Sequence, residues 1–128
     1  KVAVPEKDGF NVDPEVIKLV KGKANFEITT NPAKAVEKAD IVYTDTWMSY
    51  HISKEEERIR LSALAPYQVT KDLMSKTNNA KFMHCLPAYR GEEVTAEVID
   101  NPNSIIFDEA ENRLHIQKAI LLFLLGKL

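Results

Sequence analysis

Apolar and polar positions along the chain fall into short blocks, most of them closed by proline, glycine, asparagine or aspartate. Val2 to Pro5 is a compact apolar run and reads as a strand. Asp13-Pro14-Glu15 supplies a capping residue followed by proline at the first helical position, which predicts a helix to about Lys21 that Gly22 ends. Phe26 to Thr30 predicts the next strand, Asn31-Pro32 a helix through Val36 to Lys38, and Asp40-Ile41-Val42-Tyr43-Thr44 a third strand that ends on Asp45. Ser53 lies three residues before Glu56 and opens a charged amphipathic helix in capping-box fashion. A short helix over roughly Thr70 to Lys76 leads into the strand Lys81-Phe82-Met83-His84-Cys85. Ser104 to Phe107 is the last strand, and Glu109 to the end is the last helix.

Five strands separated by helices predict an α/β fold, a mostly parallel sheet with helices on both faces, because parallel neighbours need crossover connections. At 128 residues the chain makes one domain. No Gly-x-Gly-x-x-Gly or phosphate-loop pattern occurs, so a nucleotide site loses its main support.

Composition narrows the partners. A net charge of -2 argues against a polyanion-binding surface, and nucleic acid is not expected as a partner. One cysteine excludes an internal disulfide, and no cysteine and histidine cluster has zinc spacing, which fits a reducing interior such as the cytoplasm. The apolar run Ala119 to Leu125 falls short of the ~20 residues needed to span a bilayer. It reads instead as a helix buried on most sides, or one ready to bury itself against a partner. Lys1 to Pro5 is too short for a signal peptide, and a chain that starts directly on a strand reads as a piece of a longer protein.

Chemistry gathers at the predicted strand ends. Asp45 with Trp47 and Ser49 follows the third strand, Cys85 the fourth, and Asp108 to Arg113 the fifth. In a parallel sheet these ends share one edge, where open α/β folds bind ligands. Each residue also has a plainer reading. Cys85 fits a small buried hydrophobe, Asp45 a turn cap and Trp47 a core or lid residue. Arg113, in the first turn of its predicted helix, either pairs with Glu109 or, because arginine there opposes the helix dipole, faces an anionic ligand or a buried partner. Strand alternation points His84 away from Cys85 and into the core. His51 is a loop residue open to ligand or solvent, and His115 a surface or interface residue.

Taken together, Asp45-Thr46-Trp47, Tyr67-Gln68-Val69, Phe82-Met83-His84-Cys85-Leu86-Pro87-Ala88, Arg90-Gly91-Glu92-Glu93-Val94 and Phe107-Asp108-Glu109-Ala110-Glu111-Asn112-Arg113 resemble the ornithine carbamoyltransferases, specifically their C-terminal ornithine-binding domain. The cysteine of His-Cys-Leu-Pro resembles the ornithine branch, since the aspartate branch typically has proline there. The resemblance implies a Rossmann-like domain over residues 1–128, lacking an N-terminal carbamoyl-phosphate domain. The implied reaction is attack of the ornithine side-chain amine on carbamoyl phosphate, giving citrulline and phosphate, in arginine metabolism. It needs no covalent enzyme intermediate, metal or cofactor.

The resemblance further implies Cys85 and Arg113 as catalytic residues and Asp45, Ser49, Tyr50, Cys85, Leu86 and Arg113 as substrate-binding ones. Asp45 binds the α-amino group with help from the Ser49 hydroxyl, and the backbone N–H after Ser49 holds the carboxylate. The Cys85 thiol and the Leu86 carbonyl, turned by a cis Leu86-Pro87 bond, contact the carbamoyl group and the attacking amine. Arg113 stabilises charge on the carbamoyl oxygen. The full-length enzyme is expected to be a cytoplasmic homotrimer or larger. Two departures stand out. The family's Ser-Met-Gly is replaced by Ser49-Tyr50-His51-Ile52 in a loop about one residue longer, and the family's phosphate-binding motifs are absent. The loop opens three alternatives: another amine such as putrescine, Ser53 in the serine role, or a non-catalytic amino-acid-binding homologue. A thiol-dependent enzyme with Cys85 as nucleophile is the remaining alternative.

Overall fold

In the computed structural model of the chain, which describes residues 1–23, 25–48 and 51–127, four helices begin where a side chain satisfies a free N–H of the first turn. Asp13 accepts from the Glu15 N–H (2.8 Å) ahead of α1 (Pro14–Val20), and Asn31 from the Lys34 N–H (3.2 Å) ahead of α2 (Pro32–Val36). Ser53 accepts from the Glu56 N–H (3.2 Å) at α3 (Lys54–Leu64), which a 3₁₀ turn (Ala65–Tyr67) follows. Thr70 accepts from the Leu73 N–H (3.1 Å) at α4 (Lys71–Ser75). Both α1 and α2 stop a little short of their expected ends. Gly22 (φ 76°) and Lys38 (φ 58°) lie in the left-handed region just beyond, where a right-handed helix cannot continue.

The strands pair in parallel. β1 (Val2–Ala3) lies beside β2 (Ile28–Thr29), and β3 (Ile41–Thr44) beside β4 (Lys81–His84) with Ile41 opposite Lys81 and Thr44 opposite His84. β1 is shorter than expected. The Val4 N–H still donates to the Thr29 carbonyl (3.0 Å), and then Pro5 has no N–H to give.

The single five-stranded ladder expected from the sequence is not what the described residues form. They make two separate two-stranded sheets. The edges of β1 and β3 face a groove of about 430 Å³ lined in part by Val2, Ala3, Ile41, Val42 and Trp47. The expected fifth strand over 104–107 reduces to a bridge, in which Phe82 donates to the Asn103 carbonyl (3.0 Å) and Ile105 donates to Phe82 (2.9 Å). The chain then turns into α6 (Ile106–Leu124), three residues before the expected start at Glu109. Asp108 and Glu109 sit in its first turn, where acidic side chains favour the helix N-terminus and helical pairing wins over the strand. A short helix, α5 (Ala96–Ile99), escaped the sequence reading and buries Val98 and Ile99.

One core holds these pieces together: Val36, Val42, Val69, Leu73, Ala80, Phe82, Val94, Val98, Ile99 and Ile106. α2 packs on β1, β2 and α4, while α6 packs on β4. Beyond Ile106 the terminal helix is open, with Leu121, Phe123 and Leu124 exposed, so of the two sequence readings the unpartnered one describes this chain. Among the described residues no helix is long and apolar enough to cross a membrane.

Phe82 joins β4 to the residue 103–105 bridge and is 1 % exposed, so Phe82→Ala is expected to cost about 3–5 kcal/mol of unfolding free energy in a urea titration. Leu124→Ala, at a position 73 % exposed, is expected to change it by less than about 0.5 kcal/mol.

Candidate functional site

Because β3 and β4 are parallel and in register, the residues that follow them, Asp45 and Cys85, emerge side by side. The Cys85 thiol donates to Asp45 Oδ1 at 2.9 Å, and the same oxygen accepts the Thr46 N–H at 2.7 Å. Asp45 therefore both caps its turn and faces the crevice. Tyr43 precedes Asp45 by two and shares its face of the strand. Burial of its hydroxyl, then contact with Cys85 and the nearby carboxylates of Glu109 and Asp45, pushes its pKa up to about 12.

The thiol is pushed in the same direction. Its hydrogen bond to the Asp45 carboxylate raises its pKa most, burial adds to that, and the Tyr43 hydroxyl opposes it. Thiolate rather than thiol is the nucleophile, so this cysteine is held in the form that does not attack. The Asp45 contact thus favours a positioning role for Cys85 over a nucleophilic one.

Past His84 the ladder with β3 ends, and among the described residues side chains take over the backbone groups. The His84 N–H donates to Glu109 Oε2 of α6 at 3.0 Å, and Arg113 Nη1, also on α6, donates to the Cys85 carbonyl at 3.2 Å. The Leu86 N–H donates to His84 Nδ1 at 2.9 Å, with Leu86 at φ 60° and the Leu86-Pro87 bond cis. The Tyr89 N–H donates to Glu93 Oε1 at 2.5 Å. His84 points into the core as alternation requires and is fully buried, with Nε2 3.3 Å from the equally buried Glu93.

Arg113 needs a correction. With α6 starting at Ile106, it lies past the first turn, so its expected opposition to the helix dipole does not arise. Its expected i,i+4 partner Glu109 instead holds the His84 N–H. Trp47 is core, 9 % exposed, with its carbonyl accepting from Arg60 of α3 at 3.4 Å. Ser53 Oγ is engaged as the α3 cap. His51 is exposed, and His115 pairs with Glu111 at 3.2 Å on the surface. Ser49 and Tyr50 lie outside the described residues. Three residues of this cluster, Tyr43, Glu93 and Glu109, were missed from sequence. Tyr43 carried a signal in its two-residue offset from Asp45, whereas Glu93 stood in an acidic run indistinguishable from a solvated loop.

Asp45, His84 and Cys85 offer ligand atoms within 4.8 Å of one another. The thiol is committed to Asp45 and Nδ1 of His84 to the Leu86 N–H, while Nε2 lies on the core side against Glu93, away from the thiol. The set therefore suits hydrogen bonding better than cation binding. It presents a carboxylate, a protonated thiol, the backbone of residues 85–87 and a guanidinium at one strand edge. That combination recognises an ammonium group beside an oxygen that gains negative charge.

Residues 1–124 match the family model described as aspartate/ornithine carbamoyltransferase, Asp/Orn binding domain. The ornithine carbamoyltransferase of Pyrococcus horikoshii is 50 % identical over 131 aligned positions, covering 98 % of this chain and 40 % of that protein. The solved structure of ornithine carbamoyltransferase from Pyrococcus furiosus superposes with a TM-score of 0.83 at 48 % identity over 94 % of this chain and 40 % of that one. An anabolic ornithine carbamoyltransferase from Campylobacter jejuni gives a TM-score of 0.84 at 31 % identity, over 98 % and 43 % of the two chains. The chain thus spans about two fifths of the length of the curated relatives it matches.

Cys85 is the only cysteine, so its alkylation by iodoacetamide reads this site alone. The pH of half-maximal rate is expected above the ~8.5 of a free thiol, and Asp45→Asn is expected to bring it down, because the Asp45 contact is the largest cause of the raised value. A profile that Asp45→Asn leaves unmoved contradicts this account.

Proposed function

The chain belongs to the aspartate/ornithine carbamoyltransferase family, as its Asp/Orn-binding domain, and from that premise we propose that it is the amine-binding half of an ornithine carbamoyltransferase. The enzyme transfers the carbamoyl group of carbamoyl phosphate to the side-chain amine of L-ornithine, giving citrulline and phosphate in arginine metabolism. The observation that carries this reading is the 2.9 Å contact between the Cys85 thiol and Asp45 Oδ1, beside Arg113 at the Cys85 carbonyl.

Each group then has a task. Asp45 takes the α-ammonium of ornithine, with Cys85 fixing the carboxylate by donating its proton rather than releasing it. The Ser49 hydroxyl assists at the amino group and the Tyr50 N–H holds the carboxylate. The neutral δ-amine, oriented by the Leu86 carbonyl and the Cys85 thiol, adds to the carbamoyl carbon; the tetrahedral adduct then breaks its C–O bond to phosphate, and the departing phosphate takes the proton that the nitrogen gives up. Arg113 offers its guanidinium to the carbamoyl oxygen, which carries the charge of the tetrahedral transition state. No bond to the protein is made.

The proposal includes a separate carbamoyl-phosphate domain, whose closure over this one excludes water, and a cytoplasmic homotrimer or larger assembly. The exposed apolar face of α6 supports a contact surface in this chain. We also infer one mostly parallel, Rossmann-like sheet in the complete domain, supported by the unpaired edges of β1 and β3 that face one groove. A second reading, a carbamoyltransferase for another amine such as putrescine, is favoured by Tyr50-His51-Ile52 standing where the family has Met-Gly after the serine.

Adding a folded carbamoyl-phosphate domain to this chain is expected to produce citrulline, and continued inactivity of the mixture counts against the proposal. Calorimetric titration of the chain with ornithine, norvaline and putrescine ranks the amines. Asp45→Asn is expected to weaken ornithine about 10- to 100-fold, the ~1.5–3 kcal/mol of a hydrogen bond to a charged group. Tighter binding of putrescine than of ornithine transfers the assignment to the second reading.

A further inference from the structure

The mechanism above leaves two fully buried polar side chains without work, His84 and Glu93. His84 sits on the core side of β4, one residue before Cys85, and Glu93 lies against it from the loop that follows. Nδ1 of His84 accepts the Leu86 N–H, so it carries no proton of its own, and the ring proton belongs on Nε2, which lies 3.3 Å from Glu93 Oε1 without the geometry of a hydrogen bond. Glu93 in turn accepts the Tyr89 N–H. The pair thus touches the Cys-Leu-Pro loop on both sides of Pro87 from behind.

The Leu86 N–H and the Cys85 carbonyl belong to one peptide unit, which is planar and moves as a plate. His84 holds one edge of that plate at 2.9 Å and Arg113 the other at 3.2 Å. A plate held at both edges fixes the start of Leu86, whose φ of 60° is a left-handed value that a leucine adopts only under constraint. Everything Leu86 presents to the crevice is set by that conformation.

We propose that His84 and Glu93 are positioning residues: the imidazole, packed at Nε2 against the Glu93 carboxylate, uses Nδ1 as a fixed acceptor for the Leu86 N–H and thereby aims the Leu86 carbonyl at the attacking amine. The inference rests on the ornithine reading for its last step, and for the rest on the hydrogen bonds to the Leu86 and Tyr89 N–H groups and the close approach of Nε2 to Glu93.

Two substitutions divide the ring's functions. His84→Asn keeps an acceptor oxygen near the place of Nδ1 and loses the reach to Glu93. His84→Gln keeps a donor near the place of Nε2 and loses the acceptor for Leu86. With thermal melts showing both variants folded, His84→Asn is expected to bind ornithine within about 3-fold of the parent chain and His84→Gln at least 10-fold more weakly. Leu86 amide exchange is expected to stay slow in the first and become fast in the second. Equal losses in the two variants, tracking their melting temperatures, overturn the proposal in favour of simple core filling.

The unaltered chain gives a further check that needs no variant to fold. Its ¹⁵N imidazole signals are expected to show the Nε2–H tautomer, and its Leu86 amide to be protected from exchange. The opposite tautomer or a freely exchanging Leu86 amide also overturns the proposal. If ornithine does not bind the unaltered chain while the tautomer and the exchange pattern hold, the ornithine reading fails and the positioning of Leu86 stands.

Discussion

The structure turns on what happens to backbone hydrogen bonds where β4 stops. A strand inside a sheet has its N–H and C=O groups paired by neighbours, and an unpaired one that is shielded from water costs about as much as a lost hydrogen bond. Beyond His84 no neighbouring strand continues among the described residues, yet Arg113 of α6 still reaches the Cys85 carbonyl. Four side chains fill the gap: Glu109 takes the His84 N–H, Arg113 the Cys85 carbonyl, His84 itself the Leu86 N–H, and Glu93 the Tyr89 N–H. A segment that would otherwise be a loose loop becomes a defined surface. Two of its four clamps, Glu109 and Arg113, come from α6.

That constraint shapes the chemistry more than any single reactive group does. The thiol's pKa is raised chiefly because Asp45 sits against it, and that of Tyr43 chiefly by burial of its hydroxyl. Two side chains that look reactive in a sequence are held in their inert forms, and what remains active is geometry: a carboxylate, a backbone carbonyl and a guanidinium at fixed separations. A carbamoyl transfer in which substrate meets substrate directly asks for that kind of site, since most of its acceleration comes from orientation and from stabilising one developing charge.

Much of this was legible from residue order. Caps at Asp13, Asn31, Ser53 and Thr70 and the β3 and β4 runs follow local rules, and the convergence of Asp45, Cys85 and Arg113 follows from parallel strands sharing an edge. The misreadings share a different cause. Ser104 to Phe107 reads as a strand by its apolar run, but Asp108 and Glu109 beyond it favour a helix start, and a one-dimensional pattern does not say which side of such a boundary wins. Glu93 illustrates a harder case. Nothing in Arg90-Gly91-Glu92-Glu93-Val94 marks the second glutamate as buried, because its partner His84 lies nine positions away across a loop whose path depends on their meeting. The five-strand sheet was overdrawn for a similar reason: strand pairing depends on which edges come together, and β1 and β3 do not.

Cys85 gains its meaning from position rather than reactivity. A residue there must do two things at once, donate a hydrogen bond to Asp45 and leave its carbonyl for Arg113. Serine would donate as well but, lacking the larger sulfur, would sit farther from the carboxylate, whereas proline has no donor and would leave Asp45 without this partner. The carboxylate and the thiol are thus one unit: Asp45 supplies the charge that an ammonium-bearing substrate requires, and Cys85 holds that carboxylate in place. Under the proposed function, the cysteine therefore specifies which amine is admitted, and the carbamoyl chemistry is left to the backbone of Leu86 and to Arg113.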